Sequence, residues 1–266
     1  MTEEMLKKIK QLPPLPESAM QIEAVYQDPD SSFNDMVKIL EKDPLLTADI
    51  LKAANSPLYG FSREINAISQ AVGLFGMGTV RGFALASIVK KSFSLDLSPY
   101  GINNEMFSAL SKKQHGLITS WCMRKENKLM GILSPAAFLV EIGKVLIAQQ
   151  IIADGKQEAF RDALTNLEDV EAAERKVIGA DTPEVSATVF AHWRFEEGLV
   201  DVIRNCTNPN AAEDDDKRAA QILHVVRVTV PVNGVVTDAS IEEAKALIEK
   251  YGLDMPSFET AIENIK

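Results

Sequence analysis

Histidine and cysteine are scarce in this chain, which has three histidines and two cysteines among its 266 residues. Disulfide-rich secreted domains and cysteine-ligated metal centres need several closely spaced thiols, which Cys122 and Cys206 do not supply. A buried, unreactive thiol is therefore expected at both positions. His115, His192 and His224 are far apart along the sequence, so each is expected to be a hydrogen-bonded, partly buried side chain.

Long apolar runs are also missing. No stretch reaches the roughly 18 uninterrupted apolar residues of a membrane span. The first residues, Met1-Thr2-Glu3-Glu4, include two acids and precede no apolar core of the kind found in signal peptides. The sequence therefore predicts a cytoplasmic protein without a membrane partner.

Positive charge is under-represented. There are 28 Lys and Arg residues against 38 Asp and Glu, which gives a formal net charge of −10. Because phosphate backbones are bound by clustered basic side chains, nucleic acid is not an expected partner. The acidic run from Glu213 to Asp216 is interpreted as a solvated helix start, where carboxylates favour the positive end of the helix dipole.

Helical patterns fill most of the chain. Asp43 is predicted to cap a helix that begins at Pro44 and places Ile50 on its apolar face. Asn55-Ser56-Pro57 is predicted to end that helix. The combination of caps, helical spacing and stops is typical of an all-α protein.

The next segment is predicted to be interrupted. Asn66 can cap an apolar helix over 67–75, and Gly76 and Gly78 are expected to break it before Thr79. Farther on, Ser134-Pro135 and Thr182-Pro183 are predicted to start helices, and 157–178 reads as one continuous helix. The segment 228–237 could form a hairpin around Asn233-Gly234, but Pro231 favours a loop.

The connector from Ser94 to Asn104 is the least helical part of the first half, because Pro99 and Gly101 break its periodicity. It is the predicted boundary between two lobes. The predicted organisation is an N-terminal extension over 1–11, a helical lobe over 12–98 and a second helical lobe over 99–266.

An ordered string of motifs resembles the opening half of an HDOD domain, a bacterial module related to HD-domain metal-dependent phosphohydrolases. The string comprises Leu12-Pro13-Pro14-Leu15-Pro16, the stretch from Asp43 to Thr47, Asn55-Ser56, and the apolar segment through Gly76. The resemblance implies an all-α, HD-domain/PDEase-like multi-helical fold in two packed lobes. It also implies that 12–266 could form one HDOD unit.

The same resemblance locates the positions at which the hydrolases hold metal. His115 lies on the stretch that matches the first-histidine helix and is the only candidate remnant ligand. Val140-Glu141 stands where the hydrolases have a His-Asp pair before Ile-Gly, Asn205-Cys206 stands where a histidine pair is expected, and Arg227 matches the last carboxylate. Because valine cannot ligate and arginine is a permanent cation, no catalytic residue, metal or other cofactor is expected.

The polar residues around the helix stop allow two interpretations. Asn55 and Ser56 can simply satisfy the last carbonyls of the helix, with Tyr59 and Phe61 in the core. Alternatively, these four residues form lobe-interface, partner or ligand contacts.

The resemblance implies a non-catalytic signal-transduction output or scaffold module that contacts an unidentified signalling protein. Two alternatives stay open at this point. One is a phosphohydrolase with altered metal ligands, and the other is a remnant pocket that senses a nucleotide.

Overall fold

The computed structural model describes residues 1–93, 95–167 and 169–265. Within those ranges there are fifteen α-helices, five short 3₁₀ turns and no strand. The helices are α1 (Glu3–Lys10), α2 (Glu17–Gln27), α3 (Phe33–Glu41), α4 (Pro44–Ala54), α5 (Ile68–Lys91), α6 (Asn104–Cys122), α7 (Met130–Leu139), α8 (Gly143–Ala153), α9 (Gln157–Leu167), α10 (Val170–Ile178), α11 (Thr182–His192), α12 (Glu197–Asn205), α13 (Lys217–Thr229), α14 (Asp238–Tyr251) and α15 (Met255–Glu263). The 3₁₀ turns are Pro57–Tyr59, Ser98–Tyr100, Asn127–Leu129, Val140–Ile142 and Pro209–Ala211.

Helix α4 forms as its local signals predict. The Asp43 carboxylate accepts the backbone N–H groups of Leu45 and Leu46, each at 3.0 Å, and Pro44 is the first helical residue. Ile50 is fully buried on the inward face. The cap, the proline and the face are therefore confirmed.

Helix α5 differs from its prediction at its start and at Gly78. It starts at Ile68 with Ala67 as the N-cap residue, so Asn66 does not cap it. The backbone N–H of Asn66 donates to Gln70 Oε1. Gly76 has φ +79°, a left-handed conformation that suits glycine, and interrupts the helix as predicted. Gly78 is not a break: a Cβ there would lie 2.7 Å from the Cα of Gly131, so this glycine allows α5 and α7 to approach closely.

One predicted helix start was wrong, and a second was right in position but not in its capping residue. Pro135 lies inside α7 rather than at its beginning. Thr182 is the first residue of α11 and not its cap, because the Asp181 carboxylate accepts the N–H of Glu184 at 2.9 Å. A local Ser-Pro or Thr-Pro pair cannot distinguish a cap from the first helical turn, since proline is tolerated in both contexts.

The stretch predicted as one helix over 157–178 is two helices, α9 and α10. Asp169 caps α10 by accepting the N–H of Glu171 at 3.0 Å. Glu168 in that stretch, Ser94 in the predicted boundary and Lys266 lie outside the described residues. The segment after α13 is a loop, as predicted, with Gly234 at φ +69°.

The helices pack around a continuous apolar core that includes residues from both predicted lobes. Helix α5 packs against α2, α3 and α4 and also against α7, while α11 packs against α8 and α12. Helix α15 lies on α6, and α13 contacts α12 and α14. The division at residue 98 stays a prediction.

Two apolar segments, Ile68–Lys91 and Asn127–Ala153, are long enough to cross a membrane. Their most apolar windows are 67% and 89% buried against the rest of the chain. Such burial is typical of core helices in a soluble protein.

A buried arginine joins helices that are distant in sequence. Arg81 on α5 is fully buried, and its Nε and Nη2 donate to the Glu23 carboxylate of α2 at 2.6 and 2.8 Å. Its Nη1 donates to Glu196, which precedes α12, at 3.0 Å, and its guanidinium lies 4.1 Å from the centre of the Tyr26 ring. Burial disfavours the charge, but Glu23 and Glu196 outweigh that effect and raise the pKa of Arg81.

Candidate functional site

A cavity of about 540 Å³ opens between the Val140–Ile142 turn, α8, α10 and α13. It contains two of the positions, Glu141 and Arg227, at which the resemblance locates lost metal ligands. The other lining residues are Lys144, Asp169, Val170, Glu171, Arg175, Thr207, Asn208, His224, Val228, Pro231, Val232 and Glu243.

Arg227 is the centre of an ion-pair network in this cavity. Its Nε donates to Glu141 Oε1 at 2.8 Å, and its Nη2 donates to Glu171 Oε1 at 2.5 Å. Its side chain is 9% exposed, and that of Glu141 is 4% exposed. The guanidinium therefore occupies the space between two carboxylates.

Lys144 supplies a second cation one turn after Glu141. Its Nζ lies 3.1 Å from Glu174 Oε1 and 3.3 Å from Glu141 Oε2, and it donates to Thr182 Oγ1 at 3.0 Å. The hydroxyl of Tyr100 donates to Glu174 at 2.8 Å. Both Lys144 and Glu174 are fully enclosed by these partners.

The electrostatics follow from this pairing. Burial alone would raise the pKa of Glu141, but Arg227 and Lys144 lower it to about 2. Burial likewise opposes the charge of Lys144, and Glu174 and Glu141 outweigh it and raise the pKa of that lysine. Burial and Glu171 raise the pKa of Glu174. The cavity is thus a set of mutually neutralised charges and not a free carboxylate cluster.

Gln114, and not His115, faces this network. The Gln114 amide donates to Glu141 Oε1 and to the carbonyl of Val230, each at 3.2 Å. Its Oε1 is buried and has no hydrogen-bond partner among the described residues. Neighbouring residues of an α-helix point about 100° apart. Gln114 therefore faces the charged cavity, and His115, the predicted remnant ligand, points away from it.

His115 lies instead in an aromatic cluster on the other side of α6. Its Nδ1 shares a hydrogen bond of 2.6 Å with the Tyr59 hydroxyl, its Nε2 shares one of 2.7 Å with Ser134 Oγ, and its ring stacks on Phe138 at 4.2 Å. Phe83 lies 5.3 Å from the imidazole. Burial lowers the pKa of His115 to about 3, so the ring is neutral near pH 7.

This burial predicts a pH dependence of stability. Between pH 6.5 and about 3 the unfolded chain binds a proton at His115 that the folded chain does not, so stability falls as the pH falls. The loss should be about 1.4 kcal/mol per pH unit below 6.5, or about 2 kcal/mol at pH 5. Urea unfolding at pH 7.5 and pH 5 should therefore show a smaller pH-dependent loss for His115→Gln than for the unsubstituted chain.

His224→Gln is the matched control for that experiment. Burial lowers the pKa of His224 to about 4, and its ring is bonded to the Tyr251 hydroxyl at 2.9 Å near the protein surface. The control should remove its own share of the pH dependence and leave the share of His115 intact. An equal pH-dependent loss in His115→Gln and in the unsubstituted chain would contradict the assignment.

The four residues predicted as interface or ligand contacts, Asn55, Ser56, Tyr59 and Phe61, have different surroundings in the structure. Asn55 is a structural cap, because its amide donates to the carbonyls of Leu51 and Ile65, each at 2.9 Å. Ser56 precedes the 3₁₀ turn, and Tyr59 reaches His115. Phe61 is 43% exposed, with its ring edge-on to Phe75 at 5.2 Å. Tyr59 and His115 are therefore hydrogen-bonded to each other, and neither lines the charged cavity.

Cys122 and Cys206 are buried as expected, and burial raises the pKa of both thiols, that of Cys206 to about 12. His192 is exposed at the end of α11, which differs from the expected partly buried side chain. A short α11 that ends at the surface leaves it in solvent.

The donor set does not fit the divalent metal that HD phosphohydrolases bind. Glu141, Glu171 and Glu174 already pair with Arg227 or Lys144, two cations that repel a metal ion. In residues 1–93, 95–167 and 169–265, no three His, Cys, Asp or Glu side chains form a group that could hold one.

The model of the HDOD domain family matches residues 12–209. This chain belongs to the HDOD domain family. The match begins at the predicted Leu12, and residues 210–266 lie beyond it. Arg227, which closes the charged cavity of this HDOD protein, is on that C-terminal part.

Solved structures with a similar fold cover nearly the whole HDOD chain. A virulence factor from Campylobacter jejuni subsp. jejuni is 27% identical, with a TM-score of 0.60 over 99% of this chain and 100% of its own. A candidate phosphohydrolase from Shewanella amazonensis SB2B is 22% identical, with a TM-score of 0.75 over 98% and 94%. A candidate signal transduction protein from Marinobacter aquaeolei VT8 is 23% identical, with a TM-score of 0.71 over 100% and 59%. The all-α, HD-like fold is thereby confirmed.

A curated relative matches a smaller part of the chain than these structures do. An uncharacterized protein of Treponema pallidum (strain Nichols) is 31% identical over 70 residues, which is 26% of this HDOD chain. The match spans 14% of that relative's own length.

The sequence did not point to Lys144, Glu171, Glu174 or Tyr100. One signal was available: Lys144 stands in the otherwise apolar run from Gly143 to Ala148, and a lysine in such a run needs a buried partner. Lys144 pairs with Glu141, three residues earlier, but its other partner, Glu174 on α10, is 30 residues away and had no local signal.

Proposed function

We propose that this HDOD chain is a non-catalytic output module of bacterial signal transduction that acts in the cytoplasm by contacting another signalling protein. The observation that carries the proposal is the pairing of Glu141, Glu171 and Glu174 with Arg227 and Lys144, in the cavity that holds two of the positions matched to hydrolase metal ligands. A hydrolase needs carboxylates and imidazoles free to bind metal and activate water. Here the carboxylates serve as partners of fixed cations, so the network stabilises the fold.

The proposed contact surface includes Phe61. This ring lies on the loop after the Pro57–Tyr59 turn and is 43% exposed, and Leu74, next to Phe75, is 51% exposed. Aromatic side chains anchored at one edge and open at the other are favoured at protein interfaces. Asn55 stabilises the loop that carries Phe61, because its side chain donates to the carbonyl of Ile65 and accepts the Ile65 N–H.

The test is comparative capture of cytoplasmic proteins with the full chain as bait. Phe61→Ser should lose a specific partner by at least about tenfold, as expected for an interface anchor worth more than about 1.4 kcal/mol. Val235→Ser is the matched control, because Val235 is 54% exposed on the loop after α13. It should retain the partner.

Two outcomes would contradict the proposal. One is equal capture by the Phe61→Ser and Val235→Ser proteins. The other is metal-dependent turnover of phosphomonoesters or nucleotides, by protein prepared without chelators, that Glu141→Gln abolishes without unfolding the chain.

A further inference from the structure

A second cavity lies between α4, α5 and α6 and shares no lining residue with the charged cavity. Its volume is about 300 Å³. The lining residues are Asp49, Lys52, Ala53, Phe83, Ala86, Ser87, Lys90, Lys91, Ser108, Lys112 and Phe138. Neither the HDOD resemblance nor the proposed function assigns it a role.

The cavity is basic, although the chain as a whole carries a net charge of −10. It has four lysines and one acid, Asp49, and that acid is already engaged. Asp49 Oδ2 lies 2.6 Å from Lys91 Nζ and accepts the Ser87 hydroxyl at 2.6 Å. In the part of the chain that the structure describes, no carboxylate lies within 4.0 Å of the ammonium groups of Lys52, Lys90 or Lys112.

Lys90 is the least solvated of the three unpaired lysines. It is half-buried, and its Nζ lies 5.8 Å from the centre of the Phe107 ring. Burial and the nearby charge of Lys112 lower the pKa of Lys90 to about 8. Holding two lysines together without an acid is unfavourable, and a bound anion would relieve that repulsion.

Apolar side chains also line the cavity. Phe83 and Phe138 are 3% and 4% exposed, and Ala53 and Ala86 add to the apolar lining. Ser108 contributes a hydroxyl-bearing side chain. A lining of lysines and apolar side chains is complementary to a molecule with an anionic group and an apolar body.

We propose that this cavity binds a small phosphate monoester, with its phosphate between Lys52, Lys90 and Lys112 and its apolar body on Phe83 and Phe138. Three lysines match the two negative charges of a phosphate monoester better than the single charge of a carboxylate. A volume of about 300 Å³ is at the lower end of the range for ligand pockets, which suits one ring and one phosphate rather than a dinucleotide.

Calorimetric titration of the full chain with phenyl phosphate tests the proposal. Binding of phenyl phosphate should be saturable. Inorganic phosphate, which lacks the apolar ring, should bind more weakly, and phenol, which lacks the phosphate, should not bind. Lys90→Met and Lys112→Met should each weaken phenyl phosphate binding by about tenfold or more, the effect of losing a hydrogen bond to a charged group. Lys176→Met on α10 is the matched control, since it removes the same charge from an exposed site, and should leave the affinity within about twofold.

Folding is followed in parallel by thermal unfolding. Lys90→Met should not lower the Tm, because the charge it removes is poorly solvated and repelled by Lys112. Lys52 is exposed, so Lys52→Met provides a variant whose weakened binding cannot come from unfolding. Absence of binding at about 10 mM phenyl phosphate, or equal weakening by Lys90→Met and Lys176→Met, would overturn the proposal.

Discussion

Replacing Arg227 with methionine is expected to lower the free energy of unfolding by about 3–5 kcal/mol, the typical cost of removing one partner of a buried ion pair. Methionine retains an unbranched apolar side chain but removes the guanidinium that pairs with Glu141 and Glu171. Glu141 then keeps only the ion pair with Lys144 among those described. Denaturant unfolding at pH 7 measures the loss. Arg227→Lys should lose less, because it retains the charge but cannot direct separate N–H groups at the two carboxylates.

Arg175→Met is the control for this prediction. Arg175 lines the same cavity, but its side chain is 49% exposed and it pairs with Asp181 at the surface. Exposed pairs contribute about 0–1 kcal/mol. If Arg227→Met lowers the free energy of unfolding no more than Arg175→Met does, the ion pairs of Arg227 do not stabilise the fold. The argument that Arg227 holds these carboxylates away from a metal ion is then wrong.

The second large effect is expected for Arg81→Met, again about 3–5 kcal/mol. The substitution leaves the carboxylate of Glu23 without its two N–H donors from Arg81 and removes the contact that joins α2 and α5 to Glu196. It also removes a cation from the face of Tyr26. The free energy of unfolding from urea titration checks the prediction.

Two further variants separate the buried charge from packing. Adding Glu23→Met to Arg81→Met should recover part of the loss, because no unpaired carboxylate then remains between α2 and α5. Arg218→Met, which breaks an exposed pair with Glu126, should cost at most about 1 kcal/mol. A full additive loss in the double variant would show that Glu23 contributes through other contacts.

The HD-like fold and the loss of the hydrolase pattern were accessible from sequence because they depend on neighbouring residues. Asp43 caps Pro44–Ala54 through atoms two and three residues away, and Gly76 breaks α5 through its own backbone. Val140 before Glu141 is read directly from the sequence. The wrong start at Ser134-Pro135 and the cap of α11, which is Asp181 and not Thr182, show the limit of such signals, because the same dipeptide fits several positions of a helix.

The sequence by itself determined the helices, most of their boundaries and the chemical nature of the residues that match the metal ligands of the hydrolases. Only the tertiary structure decided that Arg227 and Lys144 pair with the carboxylates of the charged cavity, that Gln114 faces this cavity while His115 binds Tyr59, and that Lys90 and Lys112 line one cavity. The physical reason is range. Caps and turns act within about four residues, whereas the partner of a buried charge depends on how distant helices pack.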